Sequence, residues 1–353
     1  MLDIENLLKS LEIALNQELP RVDEVRKKLK SLPMHEIQPT GEKPPVIATV
    51  ATDGGENRLI LEPMRMQIIR VMDSRGKKYF EGFIPLSLGI EKIFEFFAKS
   101  NDQLQRLKNE LKIEWSDIFK HEEYQKAAFM RMFLELLEWS AVLDLMNEET
   151  APHIVVRDGL LRSIVIPIPV FDSLKNALEQ ASKEHGHLLV GVAKRSQVLS
   201  YLSYAISLDE SLPKGKRAYI TVSQDLEVEA APANYRWAAP RSMGNLILAR
   251  LTENANAIYP IEIPSWQPKK TDYVIQALSN DADGSFPNPG YPFSLVLAHR
   301  LARIGGFEIQ LMEKMLIDEL RERNPNMADH VLRQMMLGKK LSIPIGDEEL
   351  GNV

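Results

Sequence analysis

Val46-Ile47-Ala48-Thr49-Val50-Ala51-Thr52-Asp53-Gly54-Gly55 opens the apolar part of this 353-residue chain, and its reading decides the fold. A short β-branched run bounded by a turn signal has the composition of a strand buried on both faces. Here it closes on a carboxylate and two glycines, which are expected to turn the backbone sharply and leave room beside Asp53. The pattern returns later as His153-Ile154-Val155-Val156-Arg157-Asp158-Gly159. Two such strands side by side would hold two acids together in a partly buried place. That is costly unless a cation or a proton neutralises them. Asp53 and Asp158 are therefore the first sign of a metal site.

Composition narrows the chemistry. The chain is 44% hydrophobic and 26% charged, as a globular protein is, and its length allows one large domain or two ordinary ones. It contains no cysteine, so disulfides, zinc–thiolate sites, iron–sulfur clusters and a cysteine nucleophile are excluded. The opening Met1-Leu2-Asp3-Ile4-Glu5-Asn6 lacks the basic and apolar segments of a signal peptide, and no apolar run is long enough to span a bilayer. A soluble, cytoplasmic chain without membrane contact is expected. The net charge of −6 argues against a nucleic-acid coat protein but not against a nuclease.

On either side of the two Asp-Gly strands the pattern changes. Residues 1–32 carry Leu7, Leu8, Leu11, Val22, Val25 and Leu29 at helical spacing with Pro20 between, which predicts two short helices in an N-terminal arm extending to residue 40. A proline-containing linker leads from Ser31 to Pro45. Arg58–Pro63, Met66–Met72 and Tyr79–Ile84 read as strands of an antiparallel meander, the last two joined by an Asp73-Ser74-Arg75-Gly76 turn. A helical insertion is expected over 88–147, and its last helix carries Glu135 and Glu138, three apart and so on nearly one face. Beyond Asp158 the expectations are a strand over Leu161–Ile168, a helix over Asp172–Glu184, a strand over Leu188–Lys194 and a helix over Gln197–Ser207. Strands follow at Tyr219–Val228 and within Leu246–Ile263. A Gly/Pro-rich loop then delivers Tyr291 to a helix bearing His299, and helices fill 311–353 up to a polar tail.

A meander, a helical stretch and then a strand parallel to the first describe an RNase H-like mixed sheet, an α/β fold with flanking helices. In that sheet one Asp ends the first strand, a second ends its neighbour, and a helix supplies a Glu. Hard oxygen ligands of this kind suit Mg²⁺ or Mn²⁺, whose role is phosphodiester hydrolysis.

Taken in order, Thr52-Asp53-Gly54-Gly55, Arg157-Asp158-Gly159-Leu160 and Gly290-Tyr291-Pro292 followed by Leu297-Ala298-His299-Arg300 resemble the NurA nuclease family over roughly residues 41–310. The resemblance implies metal ligands at Asp53 and Asp158, His299 as a further ligand or a phosphate-facing acid, Tyr291 near the scissile phosphate and Lys194 contacting it. It also implies a helix glutamate, which either Glu135 or Glu138 supplies, with Glu138 preferred. The chain departs from the family pattern at Gly55 and Leu160, where no carboxylate is lost. Further implications are a 5′-to-3′ exonuclease and single-strand endonuclease that is a homodimer. Such a protein sits on a HerA-type hexameric ATPase that feeds it DNA, in end resection, recombination repair or anti-phage defence. Two rivals make different predictions. An actin-like ATP-binding protein would use Gly305-Gly306 as a nucleotide turn, and an inactive assembly partner would bind no metal.

Overall fold

The computed structural model describes residues 4–38, 48–93, 101–118, 126–194, 212–230 and 241–341, together with Glu95, Leu202 and Ile206. In chain order its first half comprises α1 (Ile4–Leu29), β1 (Met34–Glu36), β2 (Thr49–Leu61), β3 (Met64–Asp73) and β4 (Lys78–Pro85). The insertion follows as α2 (Ile90–Ile93), α3 (Asp102–Leu111), α4 (Trp115–Ile118) and α5 (Lys126–Met146). Then come β5 (Ile154–Asp158), α6 (Ile168–His185), β6 (Leu188–Val192), β7 (Ala218–Val222), α7 (Gln224–Ala230), β8 (Gly244–Arg250) and β9 (Tyr259–Pro264). Helices α8 (Thr271–Asp283), α9 (Phe293–Ala302), α10 (Gly306–Arg323) and α11 (Pro325–Leu341) complete the described chain.

The described strands form one mixed sheet in the order β1-β7-β8-β9-β6-β5-β2-β3-β4. β5 lies parallel to both β2 and β6, and β2, β3 and β4 form the expected antiparallel meander. The RNase H-like order is thus β4-β3-β2-β5-β6, extended on one side by antiparallel strands.

Both sheet faces are covered, and the period of two along each strand decides what faces what. Val50, Val155 and Leu189 point into a core with α3, α5 and α6 that contains Phe129, Phe133, Trp139 and Phe171. Ala51, Ile154, Val156, Val190 and Val192 point the other way, against Ile275 and Leu278 of α8 and Leu295 and Ala298 of α9. α5 is apolar nearly all round because it is sandwiched between the sheet and α3 and α6. Its fully buried Phe129, Phe133 and Trp139 each contribute about 1.5–3 kcal/mol by leaving water. Two smaller clusters close the ends: Val25 and Leu29 of α1 pack on β7 and β8, and Val331 of α11 packs on Leu59, Leu61 and Ile68.

Several local expectations are corrected. β2 does not end at Asp53. It runs on through Gly54 and Gly55 to Leu61, in register with β3 as Asp53↔Met72, Gly54↔Val71 and Gly55↔Arg70. The separate strand expected at Arg58–Pro63 is the second half of β2. α1 is one helix rather than two, running through Pro20 without a break. The Ser31–Pro45 linker contains β1, which pairs antiparallel with β7. Leu161–Ile168 is not a strand, because Arg162 makes only an isolated bridge to Ser242 while its side chain turns to buried glutamates. Tyr219–Val228 divides at Ser223 into β7 and the start of α7, whose first turn is acidic. The helix expected at Gln197–Ser207 lies outside the described residues except for Leu202 and Ile206, both helical and buried. No helix among the described residues is long and apolar enough to cross a membrane.

Candidate active site

Strand parity builds the site. Asp53 follows Ala51 by two positions and Asp158 follows Val156 by two, so both carboxylates emerge on the α8/α9 side. β2 and β5 are parallel neighbours with Thr52 opposite Arg157, which places Asp53 beside Asp158. The two Asp-Gly steps achieve this differently. Gly159 adopts φ = +118°, outside the range of ordinary side chains, and β5 stops there. Gly54 stays in the strand, and its missing side chain is what matters. A Cβ there would fall on Glu138 Oε1, and one on Gly55 would fall on the carbonyl oxygen of Ala302. The glycines thus let the α5 glutamate in from one face and the end of α9 in from the other.

The groups meet closely. One ligand atom from each of Asp53, Asp158 and His299 lies within 4.8 Å of the others. His299 Nδ1 is 2.7 Å from Asp53 Oδ2, with the Asp53 side chain 9% exposed and the His299 side chain 54% exposed. Asp158 is held at both oxygens: the Tyr291 hydroxyl donates to Oδ1 at 3.1 Å, and Lys194 Nζ donates to Oδ2 at 2.8 Å. Tyr291 itself is buried, its ring 5.2 Å from that of Tyr259.

The α5 glutamates approach from the opposite face. Glu138 accepts from Arg157 Nη2 at 3.0 Å, while Glu135 lies 3.8 Å from the same nitrogen and accepts from Trp139 Nε1 at 3.4 Å. Glu138 faces the Asp pair through Gly54, whereas Glu135 is turned toward Arg157, Trp139 and Ser163. Burial pushes the Glu138 carboxyl up to about 8. The charges of Asp53, Glu135 and Asp158 add to that, and Arg157 opposes it. Burial and the charge of Asp53 likewise raise Asp158, against the lowering effects of Lys194 and Tyr291. The Tyr291 hydroxyl is raised by burial and by Asp158. A surplus of negative charge with converging oxygen and imidazole donors is the chemistry of a divalent-cation site, and the donor set fits Mg²⁺ or Mn²⁺.

The arrangement matches a known family. The NurA domain model covers residues 48–304 of the chain. The chain belongs to the NurA family. Among solved structures, a NurA crystal structure aligns with a TM-score of 0.53 at 13% identity. A NurA bound to dAMP and manganese aligns with 0.51 at 12%. Each alignment covers 93% of this chain and 100% of the other. The NurA nuclease from Sulfolobus solfataricus aligns with a TM-score of 0.48 at 15% identity, over 92% of this chain and 98% of that one. No curated protein sequence matches. Just past the matched NurA residues, the Gly305-Gly306 step, the nucleotide turn of the actin-like alternative, starts α10. There the Gly305 amide donates to Glu308 Oε2 at 3.0 Å.

The NurA sheet also exposes a residue that the motif reading passed over. Arg157 is 6% exposed, donates to the Leu160 carbonyl at 2.7 Å, and stacks on Trp139 at 4.4 Å. It holds Glu138 in place. Its signal was present as parity: a residue next to Asp158 in a strand must face the helix that carries the glutamates.

Proposed function

We propose that the chain is a divalent-metal-dependent deoxyribonuclease. The convergence of Asp53, Asp158 and His299 within 4.8 Å, on a NurA domain, carries this reading. Asp53, Asp158, His299 and Glu138 hold Mn²⁺ or Mg²⁺. When bound, such a cation supplies charge stabilisation at the phosphoryl oxygens and acidifies the attacking water. The chain's own residues do the rest. Tyr291 fixes the orientation of Asp158, and Arg157 fixes that of Glu138. Lys194, 39% exposed, turns from Asp158 to a phosphate oxygen, and the exposed imidazole of His299 orients on Asp53 and faces the phosphate. Glu135 supports Arg157 from behind.

The finer reading is a 5′-to-3′ exonuclease and single-strand endonuclease, cytoplasmic and homodimeric. It is fed by a HerA-like hexameric ATPase in end resection, recombination repair or anti-phage defence. The net charge of −6 supports a motor partner, because a weakly acidic nuclease lacks a broad electrostatic footprint for DNA. The named relative bound to dAMP and manganese is consistent with the ligand class. The test is cleavage of end-labelled single-stranded DNA in Mn²⁺, Mg²⁺ or EDTA by wild type and Asp53→Asn, alone and with the ATPase. Metal-dependent cleavage lost in the variant is expected. Cleavage that persists in EDTA, or in Asp53→Asn, would overturn the assignment.

A further inference from the structure

Two clefts of about 440 Å³ each lie along α5, and Arg131 lines both. The first also contains Glu135, Glu138 and Arg157, and the second is walled by Glu56, Arg58 and Gln67 of the β2–β3 hairpin, where Gln67 donates to the Glu56 carboxylate. Arg131 precedes Glu135 by four residues and Glu138 by seven, so the three share one face of α5. Seven residues of helix put it roughly 10 Å along the axis from Glu138. That is too far to touch the group bound at the carboxylates, and near enough to meet what continues from it.

The cations of this region differ in what they have to neutralise. Arg157 is engaged by Glu138 and Glu135, and Arg162 by Glu227 and Glu262, all with largely buried side chains. Arg131 and Arg58 are exposed, and among the described residues neither side chain has a carboxylate partner. An unpaired guanidinium beside an acidic centre recognises an anion that presents two oxygens, and a phosphodiester does so. On a chain with net charge −6, guanidinium groups left free in the clefts beside the site act against the general field.

We propose that Arg131, with Arg58 beside it, clamps a backbone phosphate of the substrate strand next to the phosphodiester being cut. The strand crosses the N-terminal half of α5 and passes from one cleft to the other over Arg131. The clamp rests on the nuclease reading and adds to it a binding subsite for the DNA backbone.

The test uses the full chain and no cleavage. Binding of a fluorescein-labelled oligothymidylate is followed by anisotropy in EDTA, from low salt upward. Wild type is compared with Arg131→Gln, Arg58→Gln, the double variant and Lys183→Gln. Lys183 is an exposed α6 lysine paired with Glu179, near the end of α6 that leads into the start of β6, away from Asp158. Losing that one phosphate contact in the double variant lowers the magnitude of the slope of log K against log salt by about 0.7 for a single strand, with Arg131→Gln carrying most of the change. Lys183→Gln keeps the wild-type slope. Wild-type binding with an unchanged slope in the double variant overturns the clamp and leaves the nuclease reading standing. Wild type that binds no oligonucleotide in EDTA even at low salt overturns the clamp, while the nuclease reading is decided separately by the metal-dependent cleavage assay.

Discussion

Glu138→Gln is expected to stabilise the metal-free protein while abolishing cleavage, and the size of the effect follows from the site. In the folded chain the Glu138 carboxyl is pushed up to about 8, from the ordinary 4.5 that it regains on unfolding. Between those two pH values the folded state keeps a proton that the unfolded state has released, so stability falls as pH rises through that window. At about 1.4 kcal/mol per pH unit, the cost at pH 7 is about 3 kcal/mol, and it is absent below about pH 4.5. Gln has the shape of the protonated carboxyl, presents a carbonyl oxygen to Arg157 and carries no charge toward Asp53 and Asp158. Asp158 titrates in both proteins, so the difference between them isolates Glu138. Urea unfolding in EDTA should show the two proteins equal at or below about pH 4.5 and the variant more stable by about 3–4 kcal/mol near pH 7–8. At pH 7, Mn²⁺ at about a thousand times its Kd should reverse the order, since it adds about 4.1 kcal/mol to the protein that binds it. A stability gap that does not change with pH would refute the reasoning, because it would mean that burial and the neighbouring carboxylates do not raise the Glu138 carboxyl.

Two further predictions test the frame around the site. Gly55→Ala is expected to cost about 2–3 kcal/mol in thermal unfolding, because its methyl meets the Ala302 backbone, which has nowhere to move; a Tm equal to wild type would count against the close approach of α9. In the turn between β3 and β4, Arg75 binds both Asp73 and Glu148. Burial would raise the Glu148 carboxyl, but hydrogen bonds from Arg75 and Lys77 more than offset this and hold it below the usual value. The stability it confers is therefore complete above about pH 4.5 and is lost as pH falls through the depressed value. Arg75→Ala should cost about 1 kcal/mol at neutral pH and progressively less in acid, as read by urea midpoints at stepped pH; a constant difference would argue against the pair.

Some of this protein could be read from residues in a row. The β-branched run up to Asp53, the patterns of 66–72 and 79–84 and the run of 154–158 specified strands, and the Asp73–Gly76 turn specified the meander, because these signals act through neighbours along the chain; the continuation of β2 through Gly54 and Gly55 was not legible there. The side-by-side placement of Asp53 and Asp158 followed from two similar strand motifs in one sheet. Leu161–Ile168 misled because Leu161 and Ile166 are buried in the core with the helices rather than in a ladder, while Ile164 and Ile168 are exposed. Tyr219–Val228 misled because a strand and a helix meet within it.

What the sequence by itself determined is the inventory: strands, helices, the order of the motifs and the family they belong to. Only the tertiary structure decided why Gly54 and Gly55 are glycines, since they sit inside a strand and make room for Glu138 and Ala302, residues far along the chain. It also separated Glu138 from Glu135, which sequence spacing places on one helix face but which meet different neighbours. It turned Arg157 into the partner of both. Local propensity acts along the chain, whereas like charges and close contacts act across space, and only the folded sheet brings those residues within reach of each other.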